Sequence, residues 1–413
     1  MNSSICGPLY AGAAKADITP KDLTGLTNLW GRSFQGIHDP IFLRALVVEN
    51  DHHTAALVAA DLVEFGDTCA IRERVERETG IPADQIIIAA SHDHNAPRVG
   101  KVSPGATAKK GGPATDKYTE QVYNQIVEVV RQAKAALQPA RMGIGQGRAD
   151  VNTNRDVFTP QGWQIGTNPY GPSDKTVWVI KFETLTGEPL AILMNYAAHS
   201  VVLGPENRLV TGDLAGAAER YVEQCYQDKV VALWTMGAAG NQNPKYMGWD
   251  TSYSQSVRED DYILMEAQGH LIGAEVLRVA NQIERLTSEV QIEAAMRVVA
   301  CPAKLPANAS ENKGMKVKHV ETIDLRLGLL LIGQVAITAV SGEVVTNIYQ
   351  QLKKASPFTN TLMITIANDR VGYIVDDAAY DTPTFAVRAT PLQPGYAESV
   401  IVNGLLDMME QYQ

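Results

Sequence analysis

The chain alternates between short apolar runs rich in β-forming residues and longer stretches whose apolar residues recur with helical period. This alternation is typical of an α/β protein with a largely internal sheet. It predicts a mixed β-sheet core flanked by helices. Strands are predicted at residues 42–49, 54–61, 85–90, 176–183, 189–197, 229–236, 335–340 and 361–367.

The clearest helical pattern lies at residues 118–137. There Val122, Ile126, Val129 and Ala133 recur at three- and four-residue steps and form one apolar face. Further helices are predicted at residues 69–79, 213–227, 258–285, 343–355 and 395–411.

Long loops are predicted at residues 99–117, 154–175 and 302–319. The first is rich in Gly, Pro and Lys, and the second in Gly and the turn formers Asn, Asp and Pro. Loops of this length in a compact domain are usually functional or disordered. We expect a single domain over residues 1–413, with one weak boundary near 302–319.

Composition and charge narrow the function classes. Hydrophobic residues make up 45% of the chain and charged residues 20%, which is typical of a packed globular protein. The 36 Lys and Arg residues are outnumbered by 46 Asp and Glu residues, so the formal net charge is −10. Because no phosphate-attracting field covers such a molecule, nucleic acid is not an expected partner.

The sequence shows no clear targeting signal and no clear membrane-spanning segment. Its most apolar stretch, residues 327–340, is interrupted by Gln334 and is shorter than the roughly 20 residues that a membrane helix needs. The first residues lack a basic start and an apolar core, so we expect a cytoplasmic protein without a membrane span. The four cysteines are far apart and predict neither a disulfide framework nor a thiolate zinc site.

A His-x-His motif follows a buried strand. His92 and His94 come directly after the apolar run 86–90 and would share one face at the strand end. Ligands collect at such strand ends in open α/β sheets. Two imidazoles on one face can bind one zinc ion at about 2.0–2.1 Å. A hydrogen-bonded structural pair is the alternative that the motif alone leaves open.

Three further polar residues follow apolar runs in a similar way. His199 ends the run 191–198, Glu343 follows 335–340 through Ser-Gly, and Tyr373 follows 361–367. Glu343 would lie at a helix N-terminus, where negative charge is favourable. Taken singly, Glu343 would be interpreted as a helix cap and Tyr373 as a core residue.

Two other features are suited to binding oxygen. The small-residue turn 237–244 would leave backbone N–H groups open to a substrate oxygen, although a simple tight turn explains it equally well. Arg155 begins a long predicted loop and is suited to an anionic or carbonyl oxygen, with a solvated arginine as the alternative. The sequence has no Gly-x-Ser-x-Gly elbow and no Walker loop.

In their order along the chain, these motifs resemble the catalytic domain of the neutral/alkaline, non-lysosomal ceramidase family of zinc amidases. The resemblance includes the segments 12–20 (GAAKADITP), 36–40 (GIHDP) and 44–48 (RALVV) and extends beyond Tyr373. It differs from the family pattern in Asp93 and Asn95, which stand where Thr and Ser are usual, and in Asn241, which stands where Asp is usual. The additional C-terminal domain of typical family members is not expected here.

The resemblance implies one Zn²⁺ ion per chain and assigns a role to each motif. His92, His199, Glu343 and Tyr373 would be the metal ligands. His94 and Arg155 would be catalytic residues that contact the attacking water or the substrate oxygen. The residues implied to bind substrate are His38, Gly237, Ala238, Gly240 and Asn241.

The residues and the resemblance together therefore predict a zinc-dependent hydrolase that cleaves an amide (or ester) bond of an N-acyl or related substrate through a zinc-activated water. Three alternatives stay open at this point. They are another metallohydrolase (a lactonase, a phosphatase or a binuclear amidohydrolase), a non-catalytic binding protein on the same scaffold, and polar residues that merely cap strands. Loop 99–117 is a candidate lid, and a homo-oligomer is neither favoured nor excluded.

Overall fold

The computed structural model describes residues 6–100, 112–249, 258–304 and 321–412. Its strands, in chain order, are β1 (Gly7–Pro8), β2 (Tyr10–Asp17), β3 (Gly36–Ile37), β4 (Phe42–Glu49), β5 (Thr54–Ala60), β6 (Ile86–Ala90), β7 (Gln138–Arg148), β8 (Asn152–Thr159), β9 (Gly162–Asn168), β10 (Thr176–Thr184), β11 (Pro189–Tyr196), β12 (Leu209–Val210), β13 (Val231–Met236), β14 (Gln242–Pro244), β15 (Glu289–Val290), β16 (Ile292–Pro302), β17 (Thr322–Ile332), β18 (Val335–Val340), β19 (Glu343–Val344), β20 (Asn360–Thr365) and β21 (Tyr373–Ile374). Its α-helices are α1 (Cys69–Thr79), α2 (Pro113–Ala135), α3 (Asp213–Cys225), α4 (Glu259–Gln282), α5 (Thr346–Ala355), α6 (Phe385–Ala389) and α7 (Ala397–Glu410).

Two large sheets form the framework. The first has eight strands in the order β13-β11-β10-β7-β2-β4-β5-β6, and the second has four in the order β16-β17-β18-β20. Each sheet mixes antiparallel pairs with parallel ones, such as β5 with β6, β11 with β13, and β18 with β20. The predicted mixed β-sheet core flanked by helices is confirmed.

The two sheets pack face to face, with helices on both outer sides. Leu57 and Leu193 of the large sheet share one buried cluster with Leu330 and Ile337 of the small sheet. Helices α1 and α2 pack on one half of the large sheet's outer face, and α3 and α4 on the other half. Helices α5 and α7 cover the outer face of the small sheet. The result is a layered helix–sheet–sheet–helix arrangement.

The sequence pattern located six of the seven α-helices and eight of the 21 strands in the described ranges, and the structure adds or corrects the remaining strands. The eight predicted strands are present within about two residues of their predicted bounds, and helix 69–79 has its predicted ends. The predicted loop 154–175 is wrong, because most of it is the hairpin β8–β9. This hairpin lacks an apolar period because β8 begins with four buried polar residues and β9 is only partly buried on both faces. Strands β2 and β7 were missed because they are rich in Ala and Gly.

Glycines in β7 have a packing reason. A Cβ atom at Gly143 would lie 2.4 Å from Ile283 Cγ2, and one at Gly145 would lie 2.8 Å from Val279 Cγ1. Helix α4 and the residues after it therefore approach this strand too closely for any side chain.

Two sequence predictions fall mainly on residues that the structure does not describe. The predicted lid at 99–117 lies largely on residues 101–111, outside the described part of the chain. The predicted boundary near 302–319 lies largely on 305–320, also outside it. Across the described ranges, no helix has the length and apolar character to span a membrane.

Candidate metal centre

Segments that follow four different strands meet at one end of the two sheets. The segments after β6 and β11 are bridged in parallel at Asp93 and Ser200. Strands β19 and β21, which follow β18 and β20, pair Glu343 with Tyr373. Glu343 is therefore a strand residue and not the predicted helix N-terminus, because α5 begins only at Thr346. The predicted ligands come from both sheets, and the pairing of the chain segments sets their distances.

Asn368, which lies before Tyr373 in the chain, forms two hydrogen bonds with β6, the strand that precedes His92. Its backbone N–H donates to the carbonyl of Ile88 at 2.8 Å, and its side-chain oxygen accepts from the N–H of Ile88 at 2.8 Å. Asn368 has φ of 63°, a left-handed conformation that Asn tolerates better than most residues. Asn368 therefore pairs with β6 on the edge that is not paired with β5.

Two histidines and one carboxylate converge on a single point. Nε2 of His92 lies 3.3 Å and Nε2 of His199 lies 3.2 Å from Oε2 of Glu343. His94 Nε2 lies 3.2 Å from His92 Nε2, and one nitrogen from each of the three histidines falls within a 4.8 Å group. His92, His199 and Glu343 are buried.

Backbone carbonyls fix which nitrogen of each buried histidine carries the proton. His92 Nδ1 lies 2.9 Å from the carbonyl oxygen of Val63, and His199 Nδ1 lies 2.9 Å from that of Gln242. Because a carbonyl only accepts, both Nδ1 atoms are donors, and in the neutral rings the Nε2 lone pairs point toward Glu343. Such outer hydrogen bonds are typical of metal-binding histidines.

This donor set fits a metal ion. Burial and the neighbouring charge of Arg155 lower the pKa of His199 to about 4, so that ring is neutral near pH 7. The Nε2 atoms of His92 and His199 face a carboxylate oxygen of Glu343 in a buried space, an arrangement that a cation stabilises. Imidazole and carboxylate ligands in an approximately tetrahedral group are the set that zinc uses in hydrolytic sites.

Glu343 is held from its other side by Arg370. Nη2 and Nε of Arg370 donate to Oε1 of Glu343 at 2.7 and 3.1 Å. Nη1 of Arg370 lies 2.8 Å from Glu64 Oε2. Burial would raise the pKa of Glu343, but its neighbours, among them the charged guanidinium of Arg370, hold it well below its usual range, so Glu343 is ionised.

Tyr373 and Arg155 complete the wall of the site. The Tyr373 hydroxyl interacts with both Glu343 and Arg155, and burial raises its pKa. The Arg155 guanidinium lies over the rings of Tyr373 and Phe385, with its Cζ atom 5.1 and 5.4 Å from their centroids. Its Nη1 is 3.3 Å from Nε2 of His199. The structure therefore brings together all six residues predicted to be ligands or catalytic groups.

His94 differs from the two buried histidines. It is only partly buried, it contacts Trp30 edge-on with ring centroids 5.1 Å apart, and its Nδ1 has no hydrogen-bond partner among the described residues. Burial of the ring atoms, together with His92 and His199, lowers its pKa well below the usual value. His94 is thus neutral near pH 7, and its Nδ1 is available to exchange a proton with a ligand in the cavity.

His92 adopts a strained backbone conformation. Its φ is 60°, in the left-handed region that residues other than Gly rarely occupy. Strain of this kind persists only where surrounding contacts enforce it, and it is concentrated at functional sites. Here it turns the chain sharply after β6, so that both His92 and His94 approach His199, with ring centroids at 4.8 and 5.7 Å.

The cluster lies in the wall of a cavity of about 650 Å³. This is within the range of cavities that bind small molecules. Three arginines and several aromatic rings contribute to the lining. The charged, histidine and aromatic residues of the lining are Trp30, His92, His94, Arg98, Arg155, His199, Trp249, Arg370, Tyr373 and Phe385.

The four residues of the turn 237–244 that were predicted to bind substrate are not among the described residues that line this cavity. Asn241 Oδ1 accepts from the N–H and hydroxyl of Thr346 at the start of α5, and the Gly240 carbonyl accepts from Arg155 Nη2 at 2.8 Å. Gly240 and Asn241 therefore support Arg155 from behind, since the Asn241 carbonyl also accepts from the backbone N–H of Arg155 at 3.0 Å. Gly237 and Ala238 are not among the residues that line the cavity in the described part of the chain. Asn243, which accepts from Arg155 Nη1 at 3.2 Å, is the residue of this turn that reaches the lining.

His38 also lies outside this cavity. Its Nδ1 contacts Asp39 Oδ2 at 2.6 Å and its ring stacks on Tyr262. It lines a separate surface depression together with Tyr262 and His270. The interpretation of His38 as a substrate-binding residue is therefore not supported by its position.

Sequence reasoning missed Arg370, Glu64 and Arg98. Arg370 lies between the apolar run 361–367 and Tyr373, where its charge three residues before a predicted ligand was an available signal. Glu64 and Arg98 follow β5 and the histidine motif, but nothing in their neighbours predicted that they would face the site.

Fold and site together define an α/β protein with a candidate metal centre of two or three histidines and a glutamate at the end of two packed sheets. Residues 10–261 match the family model for "Neutral/alkaline non-lysosomal ceramidase, N-terminal". The chain therefore belongs to the neutral/alkaline non-lysosomal ceramidase family, and the predicted resemblance is confirmed.

Relatives and solved structures agree with this placement. The chain is 26% identical over 277 residues to a neutral ceramidase of Drosophila pseudoobscura, which covers 61% of this chain and 39% of that protein. It is 26% identical over 260 residues to a neutral ceramidase of Pseudomonas aeruginosa, which covers 57% and 37%. The matches thus span less than half the length of these relatives.

The fold also matches the crystal structure of neutral ceramidase from Pseudomonas aeruginosa. The TM-score is 0.77 at 18% sequence identity, and the match covers 98% of this chain and 74% of that one. At this identity the likeness establishes the fold, including its arrangement of sheets. It leaves the chemistry to be argued from the residues of this chain.

Proposed function

We propose that the protein is a zinc-dependent hydrolase that cleaves the amide bond of an N-acyl compound. The observation that carries this proposal is the convergence of His92 Nε2 and His199 Nε2 on Glu343 Oε2, at 3.3 and 3.2 Å, in the wall of a cavity. Membership of a family whose curated relatives are named neutral ceramidases supports amide hydrolysis as the reaction class.

His92, His199, Glu343 and Tyr373 would hold the metal. A zinc ion in such a site supplies Lewis acidity and lowers the pKa of a water ligand toward 7. Arg370 keeps Glu343 ionised and orients it, so that Oε2 remains available beside the two histidine nitrogens.

Arg155 is suited to bind the acyl carbonyl oxygen. Its guanidinium is buried and is fixed by the Gly240 carbonyl and Asn243, and its Nε has no hydrogen-bond partner among the described residues. A preorganised donor of this kind stabilises the negative charge that develops on the carbonyl oxygen during attack.

His94, which is neutral near pH 7, is suited to accept a proton from the attacking water and to pass it to the leaving nitrogen. Its ring lines the cavity and its Nδ1 is unpartnered within the described part of the chain. General acid–base catalysis by a positioned histidine contributes roughly 10²- to 10⁴-fold to a rate. Trp30 and Phe385 offer apolar wall area for part of an acyl chain.

The proposal is tested by assaying purified protein, with and without added zinc, on a panel of N-acyl amides that includes ceramide and short-chain N-acyl compounds, together with the matched esters. We expect zinc-dependent release of the amine. The control is His270→Ala, which changes an exposed histidine on α4. Hydrolysis of the esters alone would replace the amide assignment by another acyl hydrolase, and turnover of no compound in the panel would contradict the proposal.

A further inference from the structure

We infer that the substrate carries an anionic group, most simply a carboxylate, which Arg98 binds. The inference rests on the proposed function, since it concerns what occupies the same cavity. It separates this protein's substrate from a neutral two-chain lipid and makes an N-acyl amino acid or a similar acidic amide the expected class.

The charge of the cavity lining is one-sided. Arg98, Arg155 and Arg370 line it, and its described lining residues include no Asp or Glu. This local excess stands out because the whole chain has a formal net charge of −10. A concave site lined by one sign of charge concentrates ligands of the opposite sign.

The three arginines differ in how far the protein already satisfies them. Arg370 lies between two carboxylates, Glu343 and Glu64, so its charge is compensated. The remaining two have no carboxylate in an ion pair among the described residues. Arg155 donates to neutral oxygens of Gly240 and Asn243.

Arg98 is the lining arginine whose charge no group among the described residues compensates. It makes neither a hydrogen bond nor an ion pair with the described residues, and it is only partly exposed. If an alkyl chain of the substrate lay against Arg98, the guanidinium would lose its water without gaining a hydrogen-bond partner, which is unfavourable. Facing it with a carboxylate would form a two-pronged, charge-assisted pair.

The backbone on both sides of Arg98 is held by packing and hydrogen bonds, so the protein fixes the position of this residue. Ala96 and Val99 on either side belong to the buried core cluster under α2. Gly100 N–H donates to the Thr119 hydroxyl at 3.1 Å. Gly100 also packs against Phe65 so closely that a Cβ atom would overlap the Phe65 carbonyl. These contacts fix the direction from which Arg98 enters the cavity.

The test compares ligands that differ only in charge. N-octanoylglycine and its neutral counterpart N-octanoylglycinamide place the charge on the amine side. Adipic acid monoanilide and hexananilide place it at the end of the acyl chain. Binding of each to the full chain is measured by titration calorimetry in the presence of a chelator, which stops turnover and removes direct binding of the carboxylate to metal. Turnover is then measured on the zinc-loaded protein.

We expect one carboxylate ligand to bind roughly 10- to 100-fold more tightly than its neutral counterpart, the range of a charge-assisted pair. Arg98→Gln should remove that preference, whereas Arg131→Gln, which changes an exposed arginine on α2, should keep it. Equal affinity within both pairs, or the same result for Arg98→Gln and Arg131→Gln, would overturn the inference.

The two proposals fail in different ways. Hydrolysis of the neutral amides at the same kcat/KM as the charged ones would leave the hydrolase standing and remove the anion requirement. Arg98-dependent binding of the carboxylate ligand, without turnover of any amide, would establish the anion site and contradict the hydrolase.

Discussion

Arg370 and Glu343 form a two-pronged ion pair that uses one carboxylate oxygen and leaves the other to the histidines. The pair joins Nη2 and Nε of the guanidinium to Oε1, at 2.7 and 3.1 Å, while Oε2 lies 3.2 to 3.3 Å from His92 and His199. Rotation of the carboxylate would break both sets of contacts at once. Arg370 thus acts on the proposed metal through the orientation of Glu343.

Replacing Arg370 should therefore weaken metal binding while leaving the proposed ligands in place. We expect Arg370→Met to reduce zinc affinity by about 10- to 100-fold, the usual effect of losing an outer-shell partner. The zinc affinity of Arg370→Lys should lie between those of the wild type and Arg370→Met, because lysine keeps the positive charge but cannot donate two parallel hydrogen bonds to Glu343. Competition with a chromophoric chelator measures this, and unchanged affinity in both variants would contradict the assigned role.

His94 should be separable from the metal ligands. His94→Gln is expected to bind zinc with near wild-type stoichiometry yet to lose roughly 10²- to 10⁴-fold in kcat, the contribution of a general acid–base. Zinc content and kcat are measured on the same preparation. Loss of zinc from this variant would instead identify His94 as a ligand.

Gly240 should prove structural rather than substrate-binding. A Cβ atom at this position would lie 2.5 Å from the Glu343 carbonyl oxygen, so Gly240→Ala must displace the chain that carries a proposed ligand. We expect a lower Tm and reduced zinc content. Gly112→Ala is the matched control, because Gly112 lines the cavity and a Cβ atom there would have no described residue within 4 Å. Wild-type zinc content in Gly240→Ala would argue against this structural role.

Asn368 should contribute to stability through the edge of β6. Asn368→Gly keeps the left-handed backbone but leaves the N–H of Ile88 without its partner. A buried unpaired donor costs about 1–3 kcal/mol, which urea unfolding resolves. Asn368→Ala should be less stable still, because Ala disfavours φ of 63°. Equal stability of all three proteins would show that the Asn368 contact with β6 is dispensable.

Strand positions and the candidate ligands could be predicted because both leave a local trace. Apolar runs such as 335–340 are buried whatever their partners, and a polar residue that follows such a run is visible in the sequence, as with His199 and Glu343. Packing of two sheets could not be predicted, because it depends on which face each strand turns toward a distant one. Strand β7 was missed because its glycines do not form an apolar pattern. They are required by the close approach of α4, which is also a contact between segments distant in sequence.

Roles at the site were harder to predict than positions. Arg370 and Arg98 are ordinary charged residues in the sequence, and only the fold shows that one meets Glu343 and Glu64 while the other meets no carboxylate in the described residues. The turn 237–244 had the composition of a substrate loop, yet its polar groups are used to hold Arg155 and the start of α5.

The proposed sharing of one metal ion by His92, His199 and Glu343 underlies every other role assigned at the site. The decisive measurement is the zinc content of protein purified without added metal, with His199→Ala compared with the exposed control His270→Ala. We expect about one zinc per chain in the wild type and in His270→Ala, and a large loss in His199→Ala that remains folded by circular dichroism. Wild-type protein that neither carries zinc nor takes it up when supplied would contradict the shared metal site.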